Sequence, residues 1–427
     1  DVHAVSGRTG GSSMSNPHVA PIRRDNSAPP FQRTEFRKPC KDYDPLRQPY
    51  FGDTHVHTMW SFDASAQDTR NSPADAYAFA RGEPIRIQPY DDDGVGMREI
   101  RIDRPLDFTA VTDHSEFIGE MLMCATEGAP GYYHPVCMAH RHAPSLTQLA
   151  FGGMGLSLKR RWGFCGEYSL ECLDWAENTW AQIRQDAEDA YDRSSECSFT
   201  SFIGYEWTSL VRGNNLHRVV VYRDDADRAI QVLPFTLGDS ADPEDLWKAL
   251  AAYEQKTGGR ALAIPHNGNL SNGLMFDVKT LSGGAITKRY AQQRQRWEPL
   301  YEVTQIKGDG EAHPYLSPND EFADYGTWDT GNLDLSELKK PEMLAREYAR
   351  EALKNGLALE AKFGTNPYKF GMVGATDSHT TLATAEEENF FGKSVSVEPS
   401  ATRVGHPFIE SKLGAIEGDT LVGAGYQ

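Results

Sequence analysis

The chain has 427 residues, with 43 Lys and Arg against 61 Asp and Glu, a formal charge of −18 spread along its length rather than gathered in a tail. Such a surface repels a phosphate-rich polymer, so nucleic acid is a poor partner and a small-molecule substrate the better expectation. No apolar run approaches the ~20 residues that span a bilayer, which predicts a soluble chain without a membrane span. The length allows one large α/β domain with insertions, or two domains.

Residues 1–48 are rich in Pro, Arg, Ser and Asn and show no sustained period, which predicts an extended or disordered arm. From Tyr50 onward short apolar strands alternate with amphipathic helices. The strands are expected over 50–57, 106–112, 199–205, 216–222, 261–265, 300–306 and 370–376, and the clearer helices over 73–80, 170–191, 242–256 and 341–362. This alternation predicts one body over 49–427 built on a mainly parallel sheet, open or closed into a barrel. Two stretches are too long for simple connections, 117–197 and 267–298, and are expected to be insertions over one end of the sheet.

Six cysteines form no C-x-x-C pair, so a zinc knuckle is not expected. One or two bridges in an exported protein and buried free thiols both stay open. The start at Asp1 fits a mature exported form or a trimmed one. Periplasm, secretion and cytoplasm are all left open, as is the oligomeric state.

Chemistry concentrates at the strand ends. The first strand carries His55-Val56-His57, whose i, i+2 spacing points two imidazoles the same way. The next strands run into Thr112-Asp113-His114 and Gly204-Tyr205-Glu206, then His217, Pro265-His266 and Thr376-Asp377-Ser378-His379, while the sixth carries Glu302. In α/β barrels and open parallel sheets such ends converge on the active site. Six of the thirteen histidines sit there, beside Asp113, Glu206 and Asp377. Imidazole and carboxylate without thiolate suit Mn, Fe or Zn, and bridging carboxylates let two or three divalent ions lie close together. His134, His140, His142, His313 and the terminal His3, His18 and His406 lack that context and are expected in loops or on the surface.

These motifs, in this order over residues 50–380, resemble those of the PHP superfamily, named for polymerase and histidinol phosphatase domains. The phrases FGDTHVHT, TRNSPADAYAFARGE and QIKGDGEAHP are similar to a branch of uncharacterised PHP-like proteins, often exported. The resemblance implies a distorted seven-stranded α/β barrel with up to three metals. One ion would take His55, His57, Glu206 and Asp377, with Glu206 bridging to a second on His217 and His266. A third would take His114 and His379. Many relatives supply a histidine six residues after the second motif histidine, where this chain has Asp63. Asp113 is expected to orient a ligand rather than bind metal.

The chemistry implied is hydrolysis: water bridging two cations loses a proton near neutral pH and attacks in line. A small phosphorylated substrate is the leading expectation, with Glu206 and Asp377 carrying catalysis. Arg70, Arg212, Arg218 and Lys307 are the cations near the metal motifs that could meet a phosphate, and Arg212 and Lys307 join the expected catalytic set. Glu302 is expected to be a buried structural partner of Lys307. The alternatives are amide or carboxylic ester hydrolysis by the same nucleophile, and a non-catalytic metal-binding accessory domain.

Overall fold

The computed structural model describes residues 37–395 except positions 45, 148, 157–160, 385, 387, 388, 390 and 394. The chain divides into two units, Asp1–Phe36 and Arg37–Gln427, and all described residues belong to the second. Of the arm expected over 1–48, residues 1–36 therefore lie outside the described ones, as do His3, His18 and His406. The described residues among 37–48 form neither helix nor strand, and the Cys40–Cys197 disulfide ties this stretch to the body.

Strand β1 (Gly52–Val56) leads into helices α1 (Phe62–Ser65) and α2 (Pro73–Ala80). Ser72 starts α2 with a reciprocal capping box closed by Asp75, and Pro73 adds a fixed φ to the first turn. A hairpin of β2 (Ile85–Tyr90) and β3 (Gly96–Ile100) precedes β4 (Phe108–Val111). The expected insertion over 117–197 holds α3 (Ile118–Ala125), α4 (Pro135–His142) and α5 (Leu170–Ala190). Helix α5 packs on α2, α3 and β5 (Thr200–Trp207), so the end of this stretch is the helical crossover between parallel strands. The short strands β6 (Leu210–Val211) and β7 (Asn214–Asn215) then precede β8 (Arg218–Tyr222), α6 (Ala226–Ala229), α7 (Pro243–Thr257) and β9 (Ala261–Pro265). Within the second expected insertion lies α8 (Lys288–Trp297), followed by β10 (Leu300–Gln305) and β11 (Gly308–Asp309). The helix expected over 341–362 is two, α9 (Pro341–Leu344) and α10 (Ala349–Phe363), and β12 (Gly371–Gly374) is the last strand described.

The expected seven-stranded barrel is corrected by the strand pairing. Strands β1, β4, β5, β8 and β9 form a five-stranded sheet, β11, β10 and β12 a three-stranded one, and β2–β3 and β6–β7 two small hairpins, with no closed barrel among the described residues. The large sheet is not mainly parallel either, since β8 runs antiparallel to both β5 and β9. Only residues 208–217 join β5 to β8, fewer than a parallel crossover needs, so the chain turns back on itself. The two sheets touch through single bridges, His266 to Glu302 and Val56 to Ser378. Beside the second bridge, the Asp53 carboxylate accepts from Thr376 N and Oγ1, so a side chain takes the place of ladder hydrogen bonds.

The main core lies between the large sheet and helices α2, α5 and α7, with Tyr77, Phe79, Trp180, Ile203, Val220, Trp247 and Leu250 all buried. A smaller cluster on the other face joins both sheets: Phe202, Val219, Val221, Leu262, Ile264, Leu300 and Val373. Full burial of such a side chain contributes about 1.5–3 kcal/mol. Strand alternation then dictates what stands above this floor. Glu206, His217, His266 and Glu302 are two or four residues along their strands from its members and share their face.

The cysteines exceed the one or two bridges expected: Cys40–Cys197, Cys124–Cys137 and Cys165–Cys172 are all bridged and none is free. No helix among the described residues is long and apolar enough to cross a membrane.

Candidate metal centre

The reversal of β8 explains why His217 precedes its strand while the other ligand candidates lie late in theirs or just beyond. An antiparallel strand brings its N-terminal end to the edge where its neighbours deliver their C-terminal ends. At that edge His55, His57, His114, Glu206, His217, His266, Asp377 and His379 are all buried.

Glu206 stands at the centre. Its Oε1 lies 2.8 Å from both His217 Nδ1 and His266 Nε2, and its Oε2 3.2 Å from both His55 Nε2 and His57 Nε2 and 3.4 Å from His114 Nδ1. Asp377 places Oδ1 3.4 Å from His55 Nε2 and 3.1 Å from His57 Nε2. Asp63, on α1, sets Oδ2 2.7 Å from His379 Nε2 and 3.2 Å from His114 Nε2. Asp377 holds a left-handed backbone, φ 51°, of the kind found where structure around a site overrides local preference.

Hydrogen bonds around the ligands fix two tautomers. His55 Nδ1 lies 3.0 Å from both Glu302 oxygens, and a carboxylate only accepts, so this nitrogen carries a proton. Ser61 Oγ donates to Asp63, so it accepts from His57 Nδ1 at 2.9 Å. A neutral imidazole in either position therefore turns an Nε2 lone pair toward Glu206 Oε2 and Asp377 Oδ1. Four acceptors facing one another across 3.1–3.4 Å require a positive charge between them. Without a metal, a proton takes that place: burial lowers the His55 pKa, but Glu302, Asp377 and Glu206 outweigh it and hold it well above the usual imidazole range.

The donor set fits divalent cations on a second ground. His217 Nε2 and His266 Nδ1 are buried without a hydrogen-bond partner, and leaving such a group unpaired costs about 1–3 kcal/mol. Four overlapping groups of donors lie within 4.8 Å: His57, Asp63, His114 and His379; His55, His57 and Asp377; His55, Glu206 and His266; His114, Glu206 and His217. A fifth, Glu120 with Cys165 and Cys172, is no thiolate site, because those sulfurs form a disulfide. Burial drives the His217 pKa down to about 4 and that of His379 to about 3, so both are neutral at pH 7, as ligands must be.

All nine expected ligands thus meet, Asp63 included. Other expectations are corrected. Asp113 orients no histidine; it accepts from Thr58 N and Oγ1 at 2.5 and 2.7 Å, clamping the turn after His57. Glu302 pairs with His55 and Gln305 rather than Lys307, whose ammonium instead meets Asp377 Oδ2. Arg70 pairs with Asp68, and Arg218 is buried against Glu298, on the face opposite His217. Arg212 is exposed in the β6–β7 turn, and among the described residues its guanidinium forms no ion pair with the cluster. Among the remaining histidines, His142 is exposed as expected, though on α4; His134 is the N-cap of α4, His140 lies half-buried within that helix, and His313 is buried against Asp329.

The residue that sequence reasoning missed is Lys393. Its ammonium lies 2.8 Å from the Asp377 carbonyl, 3.1 Å from Asp377 Oδ2 and 2.7 Å from His379 Nδ1. Burial pushes its pKa down to about 7, with Asp377 opposing, whereas in Lys307 burial is outweighed by Asp377 and Glu206, and the pKa rises to about 12. No motif flags Lys393, which stands well beyond the last strand.

These features define an α/β protein with a buried cluster of histidines and carboxylates whose donor atoms could hold a metal ion. The chain belongs to the DUF3604 family, described as proteins of unknown function, whose profile matches residues 44–425. No curated protein matches it.

Proposed function

We propose that this protein is a metal-dependent hydrolase, a phosphoesterase acting on a small phosphorylated substrate. The observation that carries this reading is the division of Glu206, one oxygen toward His217 and His266 and the other toward His55, His57 and His114. Such a carboxylate would hold one ion with His217 and His266 and another with His55 and His57. The order of the ligand segments along the chain supports kinship with the PHP superfamily, without its barrel.

Bound Mn, Fe or Zn ions would polarise a phosphoryl oxygen and lower the pKa of water between them. The chain itself supplies the rest. His55 and His57 present Nε2 from fixed tautomers, held by Glu302 and Ser61. Asp377 offers Oδ1 to the same position while its Oδ2 is held by Lys307 and Lys393. Asp63, His114 and His379 form a third corner. The half-buried Lys307 adds a charge that favours a phosphate ester over a neutral ester or amide. A complete ligand set argues against a non-catalytic accessory domain, and three disulfides support an exported, oxidising location.

The test is metal analysis of protein purified without chelator, followed by hydrolysis of aryl phosphates with Mn, Fe and Zn. Bound metal and phosphate release that chelator abolishes are the expected results. Metal-dependent cleavage of an aryl acetate or amide with no action on phosphates would reassign the reaction, and protein that takes up no metal would end the reading.

A further inference from the structure

Two ammonium groups on one carboxylate oxygen are more than Asp377 needs for neutrality, and the two lysines differ in what their remaining donors do. An ammonium has three N–H groups. Lys393 directs its three at Asp377 Oδ2, the Asp377 carbonyl and His379 Nδ1, and only 6 % of the residue is exposed. Lys307 meets only Asp377 among the described residues, which leaves two donors uncommitted, and 23 % of its side chain is exposed beside an Asp377 with none.

The backbone that carries Lys307 is held from both sides. It occupies the turn between β10 and β11, its N–H donating to Gln305 Oε1 at 3.1 Å and its carbonyl accepting from Asn269 Nδ2 at 3.1 Å. Gln305 in turn donates to Glu302, the carboxylate that fixes His55. Lys307 is thereby tied to the same framework as the ligands, and its side chain is partly exposed at the margin of the cluster.

We propose that Lys307 binds an anionic oxygen of the substrate, that of a phosphate or phosphate ester, beside the metal ions, while Lys393 is a positioning residue that holds Asp377 with Oδ1 toward the metals. This rests on the metal-dependent phosphoesterase reading and assigns its anion recognition to one side chain. The lysines are not equivalent: loss of Lys307 weakens anion binding at unchanged metal content, whereas loss of Lys393 releases metal.

The test uses the full chain loaded with Mn, inorganic phosphate as the probe in calorimetry, and metal content measured on the same samples. Lys307→Met should bind phosphate roughly 10- to 100-fold more weakly, the range expected for a charged hydrogen bond, with metal content as in wild type, and Lys307→Arg should recover part of the affinity. Lys393→Met should carry less metal per folded chain, the folded fraction being taken from near-ultraviolet circular dichroism so that misfolding does not count as metal loss. Phosphate binding in Lys307→Met equal to wild type overturns the assignment, as does a Lys307→Met protein that sheds its metal. Full metal content in Lys393→Met overturns the positioning role. A wild-type chain that takes up no Mn overturns the underlying reading instead, so the two failures are told apart.

Discussion

Two corners of the cluster are built from the same residue types and differ in how far protein groups already satisfy them. Around Glu206 Oε1, the Nδ1 of His266 and the Nε2 of His217 have no hydrogen-bond partner. Around Asp63 the partners are supplied: Oδ1 accepts from Ser61 Oγ and Ala64 N, and Oδ2 lies between His114 and His379. His379 Nδ1 lies 2.7 Å from Lys393 Nζ and 2.9 Å from the Asp377 carbonyl, and its Nε2 lies 2.7 Å from Asp63 Oδ2, so both ring nitrogens already have protein partners. A cation entering the Asp63 corner must displace these contacts, whereas one entering beside Glu206 relieves unpaired groups. The difference teaches that equal ligand counts do not mean equal affinity: ions shared by Glu206 should bind tightly and the Asp63 ion weakly.

The largest expected effect follows from removing the charge of the shared carboxylate. Glu206→Gln keeps the shape but no longer holds two cations, and hydrolysis of an aryl phosphate at saturating Mn should fall by roughly 100-fold or more. Metal content should drop with it. Activity within a few-fold of wild type would mean that Glu206 bridges nothing and that the comparison is misdrawn. Next in size is Glu302→Gln, which leaves His55 in place but weakens the carboxylate that fixes its tautomer. Such partners typically account for about 10- to 100-fold in metal affinity. Chelator competition should show that loss for the tight ions, and an unchanged affinity would reduce Glu302 to packing.

Much of this site was legible in the chain. Strand ends carrying His55, His57, His114, Glu206, His266 and Asp377 could be read because apolar runs and polar termini are local signals. The reversal of β8 was not: an apolar strand looks the same in either direction, and only the short 208–217 connection hinted at it. Closure into a barrel failed as an expectation because it depends on pairing between distant edges, where Asp53 and the bridges at Ser378 and Glu302 replace a continuous ladder. The β2–β3 hairpin carries a turn signal in Asp93-Gly94. Lys393 had none, since its role comes from backbone contacts such as His379 N to Lys393 O at 2.8 Å.

The weak corner is addressed by Asp63→Ala. Because ligands of different ions act separately, bound metal should fall by about one ion per chain while the ions on Glu206 remain. Elemental analysis after dialysis against graded chelator gives the answer: the ion lost first in wild type should be the one missing in the variant. Unchanged stoichiometry would leave Asp63 as the hydrogen-bond partner of His114 and His379 and nothing more.

The smallest effect is expected at Arg212, where the sequence had placed a phosphate contact. The residue is exposed, and its φ of 55° beside Gly213 at 79° puts it in the tight β6–β7 turn that leads toward His217. Its defined contribution is a backbone one, a carbonyl accepting from Asn332 Nδ2 at 3.0 Å, which alanine retains. Exposed substitutions away from special features change stability by about 0.5 kcal/mol or less. Arg212→Ala should therefore keep its metal content and bind inorganic phosphate within about two-fold of wild type, in contrast to Lys307→Met. A loss of tenfold or more at equal metal content would show that the β6–β7 turn closes over the Glu206 corner when anion binds. The anion seat would then lie on the His217 side of the cluster rather than beside Asp377.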